Sequence, residues 1–395
     1  MIYRPFSDQK LSTLCYGEMR LPTVKVGGKV VIDEEEAGKL LDYAYENGIN
    51  FFDTAFFYHA GESERVVGKL LGKYPRDTWY LADKMPGNFM EIKDGKIFLD
   101  VASMGMENMT FNTPAEIFEY QLNKCGVEYF DFYMLHNVAE STYELYTDQK
   151  LGIIDYLLGE KDKGRIKHLG ISTHGRYETI EKFLNQYDCF EFVLLQINYL
   201  DWSLQEAGKK YEIITKHGIP IFAMEPVRGG KLIAPGKEAE GILNSARPGD
   251  SMAKWAFRFL QSLPNIYSIF SGMSTIEQVK ENIELCSKND PVTDAEKELL
   301  WKAVDSMASF VPCTSCRYCI EACPEKLDIP MLIASYNEAS NDFGWYIEDV
   351  LDTLEDHEQP AACTACAVCN HHCPQDIDIP ETMHKFTALI KEKLG

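Results

Sequence analysis

The chain is poor in positive charge. Its 39 Lys and Arg face 61 Asp and Glu, a formal charge of -22. That balance argues against a nucleic-acid partner, whose phosphates need a basic surface, and against an anionic membrane. No uninterrupted apolar run approaches the roughly 20 residues of a membrane-spanning helix. The opening MIYRPFSDQKLSTL has no apolar core between a basic start and a small-residue cleavage site, so it does not read as a secretory leader. No G-x-G-x-x-G turn follows an apolar strand, which leaves an open-sheet Rossmann domain unsupported. Low-complexity tracts are absent too, while 45% apolar and 12% aromatic residues suffice for a large core.

What is present divides unevenly. From Val311 onward five Lys and Arg stand against fifteen Asp and Glu, nearly half the excess charge in under a quarter of the chain. Eight of the twelve cysteines also fall there, in two tight runs. A large chain with clustered cysteines points to metal-bound thiolates in a reducing compartment rather than a disulfide scaffold. The cytoplasm is therefore expected. The expected division is a domain over residues 1–300 and a second over 301–395.

The first domain alternates strand and helix patterns. A hairpin is expected to lead into a first strand around Leu11 to Tyr16. Asp33 then caps EEEAGKLLDYAYENG, with acids in the first turn and Gly48 beyond its end. Further strands read as INFF, TWYLADK, FDFYMLH, IKHLGIS, FVLLQIN, IPIFAM and IYSIFSG, each followed by a helical pattern, with a polar, Met-rich insertion near Gly87 to Asn112. About eight such repeats predict an α/β fold, a (β/α)8 TIM barrel, and the 395 residues leave room for an appendage.

In such a barrel the carboxyl ends of the strands form the reactive face. Asp53 ends the second strand, Tyr58 follows it, Lys84 ends the third and His136 the fourth. Singly, each has an ordinary structural reading; their joint placement favours chemistry. A free tyrosine has a pKa near 10, and a nearby lysine cation would stabilise the phenolate, with a carboxylate holding that lysine charged. Tyr58 is thus the candidate proton donor to a carbonyl receiving a hydride, with Lys84 and Asp53 in support. Neutral His136 would orient the substrate oxygen. Phe56, Phe57, Phe89 and Trp202 hint at apolar walls, although loop aromatics commonly pack on the barrel.

With those residues in hand, FFDTAFFYHAGESERVVGKLLG, YLADK, YFDFYMLH, GRIKHLGIS, LLQINYL and FSGMSTIEQVKENI together resemble the aldo-keto reductases over the first 300 residues or so. The resemblance implies a nicotinamide cofactor across the carboxyl face, reduction of aldehydes or ketones, and catalytic roles for Tyr58, Lys84, Asp53 and His136. It implies that Ser172 and Gln196 hold the nicotinamide carboxamide, with Thr173 replacing a frequent asparagine, and that Met224 stands where many members place an aromatic ring. Ser274, Gln278, Glu281 and Asn282 match the adenosine-end motif of one branch. Other branches carry Lys and Arg where this chain has Gly272 and Gln278. Loss of those cations weakens the case for a 2′-phosphate, although backbone N–H groups and the helix N-terminus near Ser274 could still serve; the resemblance to the family implies NADP(H), with NAD(H) left open.

The cysteine runs are Cys313, Cys316, Cys319 and Cys323, then Cys363, Cys366, Cys369 and Cys373, each followed by proline. The pattern C-x2-C-x2-C-x3-C-P resembles the two-cluster bacterial ferredoxins, in which the fourth cysteine serves the other cluster. The resemblance implies one [4Fe-4S] cluster on Cys313, Cys316, Cys319 and Cys373 and a second on Cys363, Cys366, Cys369 and Cys323. Zinc is the competing metal, but zinc motifs pair two C-x2-C knuckles and do not call for a third cysteine and a following proline. The long link between the runs has helical spacing, similar to α-helical ferredoxin modules, and LDIP and IDIP repeat at matching distances. Cys15, Cys125, Cys189 and Cys286 read as core filling. The expected protein is an NAD(P)H-dependent carbonyl reductase acting on a small molecule and fused to a 4Fe-4S electron-transfer module, with a redox partner protein as a further expectation. The alternative is a nicotinamide-sensing or electron-transfer protein.

Overall fold

The computed structural model describes residues 1–102, 105–140, 142–307, 311, 313, 317–340, 354–373, 375 and 377–394. They divide into two compact units, residues 1–229 with 253–293 and residues 230–252 with 294–395. The boundary expected after residue 300 falls inside the helix Asp294–Ser306. That helix shares the second unit with Lys237–Ala246, and Arg247 pairs with Glu296. Residues 230–252 group with the second compact unit.

Eight strands close the barrel of the first unit: β1 (Leu14–Gly17), β2 (Phe51–Asp53), β3 (Tyr80–Met85), β4 (Phe130–Leu135), β5 (Ile166–Thr173), β6 (Val193–Gln196), β7 (Ile221–Met224) and β8 (Ile266–Gly272). They pair in chain order, all parallel, and β8 returns to β1 from Ile269↔Leu14 to Gly272↔Gly17. Strands covered on both faces need near-continuous apolar sequence, and β4 is buried at all six positions. Phe51, Phe132, Phe192, Phe222 and Phe270 fill the interior. Phe6, from an amino-terminal hairpin, joins them edge-on to Phe132 at 5.3 Å. Such aromatic pairs add about 0.5–1.5 kcal/mol each beyond area burial.

The outer helices start and stop where their ends are satisfied. At α1 (Glu34–Glu46) the Asp33 side chain accepts the Glu36 N–H, and three acids follow in the first turn. The helix α2 (Ser63–Leu71) packs on α3 (Pro114–Cys125) so closely that a Cβ on Gly68 would lie 1.8 Å from the Cys125 carbonyl oxygen. Thr113 caps α3 and Gly126, at φ 64, ends it.

Three hairpin features depart from the sequence reading. Leu11 and Ser12 belong to the hairpin Tyr3–Phe6/Gln9–Ser12, and the first barrel strand begins at Leu14. Gly27 and Gly28, both at positive φ, turn a second hairpin, Thr23–Val26/Lys29–Ile32. The insertion after β3 is a three-stranded antiparallel sheet, turned at Asp94 and Gly95.

The second unit is mainly helical. Besides the helices named above it contains Tyr318–Ala322, Ile329–Ala339 and Ile379–Leu394. The repeated LDIP and IDIP each open a helix: Asp328 Oδ1 accepts from Met331 N–H, and Asp378 Oδ1 from Glu381 N–H. Their apolar members Leu327, Ile329, Ile377 and Ile379 share one core with Cys319, Cys323 and Cys369. Cys316, Pro374 and residues 341–353 of the link lie outside the described residues. No helix among the described residues is long and apolar enough to cross a membrane.

Candidate active site and cysteine cavities

The ends of β2, β3 and β4 bring four of the expected residues together. Lys84, 1% exposed, donates from Nζ to Asp53 Oδ1 at 2.7 Å and to the Thr54 carbonyl at 2.7 Å. Its Nζ lies 4.8 Å from the centre of the Tyr58 ring. Burial opposes the charge on Lys84, but Asp53 and the adjacent phenol outweigh it and hold the ammonium above its ordinary pKa. The Tyr58 hydroxyl behaves otherwise than sequence reasoning expects. Burial pushes it up to about 12, and Lys84 only partly offsets that. Such a phenol keeps its proton at neutral pH and remains a proton donor.

His136 follows β4 and is held by its backbone, N–H to the Met85 carbonyl and carbonyl to the Tyr146 hydroxyl. Its ring stacks on Phe57 at 4.9 Å and 9° and meets Tyr58 edge-on at 6.4 Å. Burial first, then Lys84 and His174, push its pKa well below the usual imidazole value, so the ring is neutral. Among the described residues its Nδ1 has no partner. Phe89 packs edge-on to Phe57 at 4.7 Å. Phe56 instead packs on Tyr120 of α3, and Trp202 on Tyr211 and Phe259, away from this cluster.

A strained turn seats Tyr58. His59, Ala60 and Gly61 all have positive φ, a backbone region that disfavours side chains with a Cβ. His59 Nε2 accepts the Leu21 N–H at 3.1 Å, tying this turn to the segment after β1. Behind Lys84, Gln121 of α3 donates to the Lys84 carbonyl and to Glu64 of α2. Burial pushes Glu64 up to about 7 and also raises its neighbour Asp83.

The expected cofactor positions divide. The Ser172 hydroxyl accepts the Asn137 N–H at 2.9 Å and retains its own proton for donation. Thr173 is turned into the fold, donating to the Val138 carbonyl and accepting the Gly175 N–H. Gln196 is already engaged: Oε1 meets His174 Nδ1 at 2.7 Å, and Nε2 donates to Asp201 at 2.9 Å. Met224 packs against the barrel core. Gln278 Oε1 accepts the Ser274 N–H, part of the cap of the helix Ile276–Cys286, and Asn282 donates to Ser271. Glu281 is half-buried on that helix.

Four residues at this face carried no sequence signal. Asp201, fully buried, gathers Gln196, Asn198 and Arg228. His174 partners Gln196. Glu18, fully buried after β1, has no partner on either oxygen among the described residues, and burial pushes it well above the carboxylate range. Arg20 lies across Gly272: a Cβ there would stand 3.1 Å from both Cβ and Cγ of the arginine.

In the second unit the cysteines line two cavities. One is lined by Cys363, Cys366 and Cys369 with Cys323. The other is lined by Cys313 and Cys319 with Cys373. Each cavity therefore takes its last cysteine from the opposite run. Among the described residues no three His, Cys, Asp or Glu side chains converge as ligands of a single ion; the thiols ring a space instead.

Comparison with known proteins matches both units. An aldo/keto reductase family model covers residues 13–300, and a 4Fe-4S dicluster domain model covers residues 312–377. YqkF, an uncharacterised oxidoreductase of Bacillus subtilis, is 25% identical over 299 residues, 70% of this chain and 88% of that protein. An NADH-specific methylglyoxal reductase of Escherichia coli is 23% identical over 291 residues, 67% of this chain and 86% of that one. The holo form of an aldo-keto reductase from Bacillus halodurans is a structural neighbour with a TM-score of 0.59 and 26% identity, over 77% of this chain and 96% of that chain. Barrel and family match agree: the chain is an oxidoreductase that belongs to the aldo/keto reductase family and carries a carboxyl-terminal 4Fe-4S dicluster domain.

Proposed function

We propose that the barrel reduces an aldehyde or ketone with NAD(P)H and that Tyr58 supplies the proton. The observation that carries this is the buried Lys84–Asp53 pair set under the Tyr58 ring, with neutral His136 beside it. A nicotinamide bound at this face supplies the hydride. Ser172 offers it a free hydroxyl proton, which fits a carboxamide oxygen, and Gln196 is pre-oriented by His174 and Asp201. Neutral His136 donates to the substrate oxygen and holds it near the phenol. As charge builds on that oxygen, Tyr58 transfers its proton, and the Lys84 ammonium stabilises the phenolate left behind. Phe57 and Phe89 exclude water from one side.

In the second unit the residues fit two [4Fe-4S] clusters, whose chemistry is transfer of single electrons. The ligand sets we propose are Cys313, Cys316, Cys319 and Cys373, and Cys363, Cys366, Cys369 and Cys323. The grouping of cysteines around the two cavities supports them. Cys316 lies outside the described residues and is placed by its spacing alone.

The test is turnover by anaerobically purified, cluster-loaded protein against a broad set of carbonyl compounds. Small 2-oxoaldehydes belong in that set, because the Escherichia coli relative is a methylglyoxal reductase. Nucleotide oxidation matched by alcohol formation is the expected result. Nucleotide oxidation with no dependence on any carbonyl would instead leave an electron-transfer protein.

A further inference from the structure

We infer that Arg20 is the cation that binds a phosphate group of the nicotinamide dinucleotide, and that Gly272 lacks a side chain because the stem of Arg20 occupies its place. The inference rests on the cofactor reading above and adds a residue to it.

Three strand ends meet at this point. Arg20 closes the short 3-10 turn after β1, Gly272 is the last residue of β8, and Gly229 lies in the loop after β7. The pairing Gly272↔Gly17 brings the first and last strands together. The arginine stem crosses Gly272, and its head reaches the β7 loop, where Nη2 is 3.3 Å from the position a Cβ on Gly229 would take. The Arg20 carbonyl accepts the Ser274 hydroxyl at 2.7 Å, so the main chain beneath the guanidinium is fixed to the segment after β8. In parallel barrels the loops after the seventh and eighth strands are the frequent place for a phosphate.

Charge favours a cation there. A dinucleotide brings a pyrophosphate dianion to a chain of formal charge -22, whose long-range field repels it. The face also holds Asp53, Asp201 and Glu225. Arg228, in the same loop, is committed to Asp201 at 3.0 Å. The guanidinium of Arg20 makes no hydrogen bond or ion pair among the described residues. A planar guanidinium can meet two phosphate oxygens at once. Ser274 and Gln278 match the adenosine-end motif, but the Ser274 N–H donates to Gln278 Oε1 beside the start of their own helix. The positive charge is therefore delivered from the opposite end of the barrel sequence.

The experiment is calorimetric titration of the full-length, cluster-loaded protein with NADPH and with NADH. Arg20→Gln is expected to weaken binding by about 10- to 100-fold, the range of a charge-assisted hydrogen bond. An equal loss for both nucleotides assigns the contact to the pyrophosphate, and a loss for NADPH alone assigns it to the 2′-phosphate; either supports the inference. Gly272→Ala, which crowds the arginine stem, is expected to weaken binding and to add little on top of Arg20→Gln. Unmodified protein that binds neither nucleotide would refute the cofactor reading itself. Unmodified protein that binds, with Arg20→Gln binding both nucleotides within about threefold, would refute the role of Arg20 alone.

Discussion

Lys84 and Asp53, on adjacent strands, form an ion pair of 2.7 Å, with side chains 1% and 6% exposed. Two charges so deeply buried are a weak source of net stability, because desolvation offsets much of their attraction. In the proposed mechanism their joint role is to present an ammonium beneath Tyr58. Lys84→Met should therefore do two separable things. It should abolish carbonyl reduction and, by stranding Asp53, lower stability by about 3–5 kcal/mol. The double variant Lys84→Met/Asp53→Asn should regain much of the stability and none of the activity. Thermal unfolding and steady-state kinetics on the same preparations check both halves.

The pH profile follows from the site. With Tyr58 pushed up to about 12 and His136 held well below the usual imidazole value by burial, then by Lys84 and His174, the phenol stays protonated and the imidazole neutral through neutral and mildly alkaline pH. Reduction at saturating substrate should be flat across that range and fall only toward strongly alkaline pH, as the phenol loses its proton. Alcohol oxidation, which needs the phenolate, should rise with pH instead. A reduction profile that broke near neutrality would assign the proton to another group.

Glu64 gives a stability prediction. Burial raises it from 4.5 to about 7, so the folded chain holds a proton that the unfolded chain releases. The stability it contributes is full below about pH 4.5 and declines as pH rises through about 7. Glu64→Gln keeps a polar group beside Gln121 and removes the charge. It should flatten the loss of stability between those limits, by on the order of 1–3 kcal/mol, in denaturation measured at several pH values.

The crossed cysteines make a further prediction. An anaerobic preparation should contain about eight irons per chain, and Cys373→Ser or Cys323→Ser about four each if one cluster is lost. The cluster lost with Cys373→Ser should be the one served by Cys313 and Cys319. Loss of the cluster on its own run, Cys363 to Cys369, would overturn the crossed assignment. Iron analysis with electron paramagnetic resonance of each variant decides it.

Much of this protein is readable from local sequence because its signals are local. Barrel strands buried on both faces must be short apolar runs, and the acids and lysine that end them stand out against that background. Asp33 and Thr113 announce helix starts by their own side chains. The insertion after β3 was legible in principle, since Asp94-Gly95 lies between alternating residues. Gly27-Gly28 carries the same kind of signal. Other features depend on contacts made only after closure. Gly272 reads as the loss of a cation until Arg20, some 250 positions earlier, is seen lying on it. Gln196 reads as a free amide until His174 and Asp201 are found on both its ends. Burial, which decides the Tyr58 pKa against Lys84, is likewise a property of the closed barrel.

The most direct measurement is single-turnover reduction of the best carbonyl substrate by Tyr58→Phe, with nucleotide binding measured on the same protein. The phenylalanine ring preserves the packing on His136 and Phe57 and removes only the hydroxyl group. A fall of about 10²- to 10⁴-fold in the chemical step, with nucleotide affinity unchanged, is the predicted result. A rate within about threefold of the unmodified protein would show that the proton comes from elsewhere.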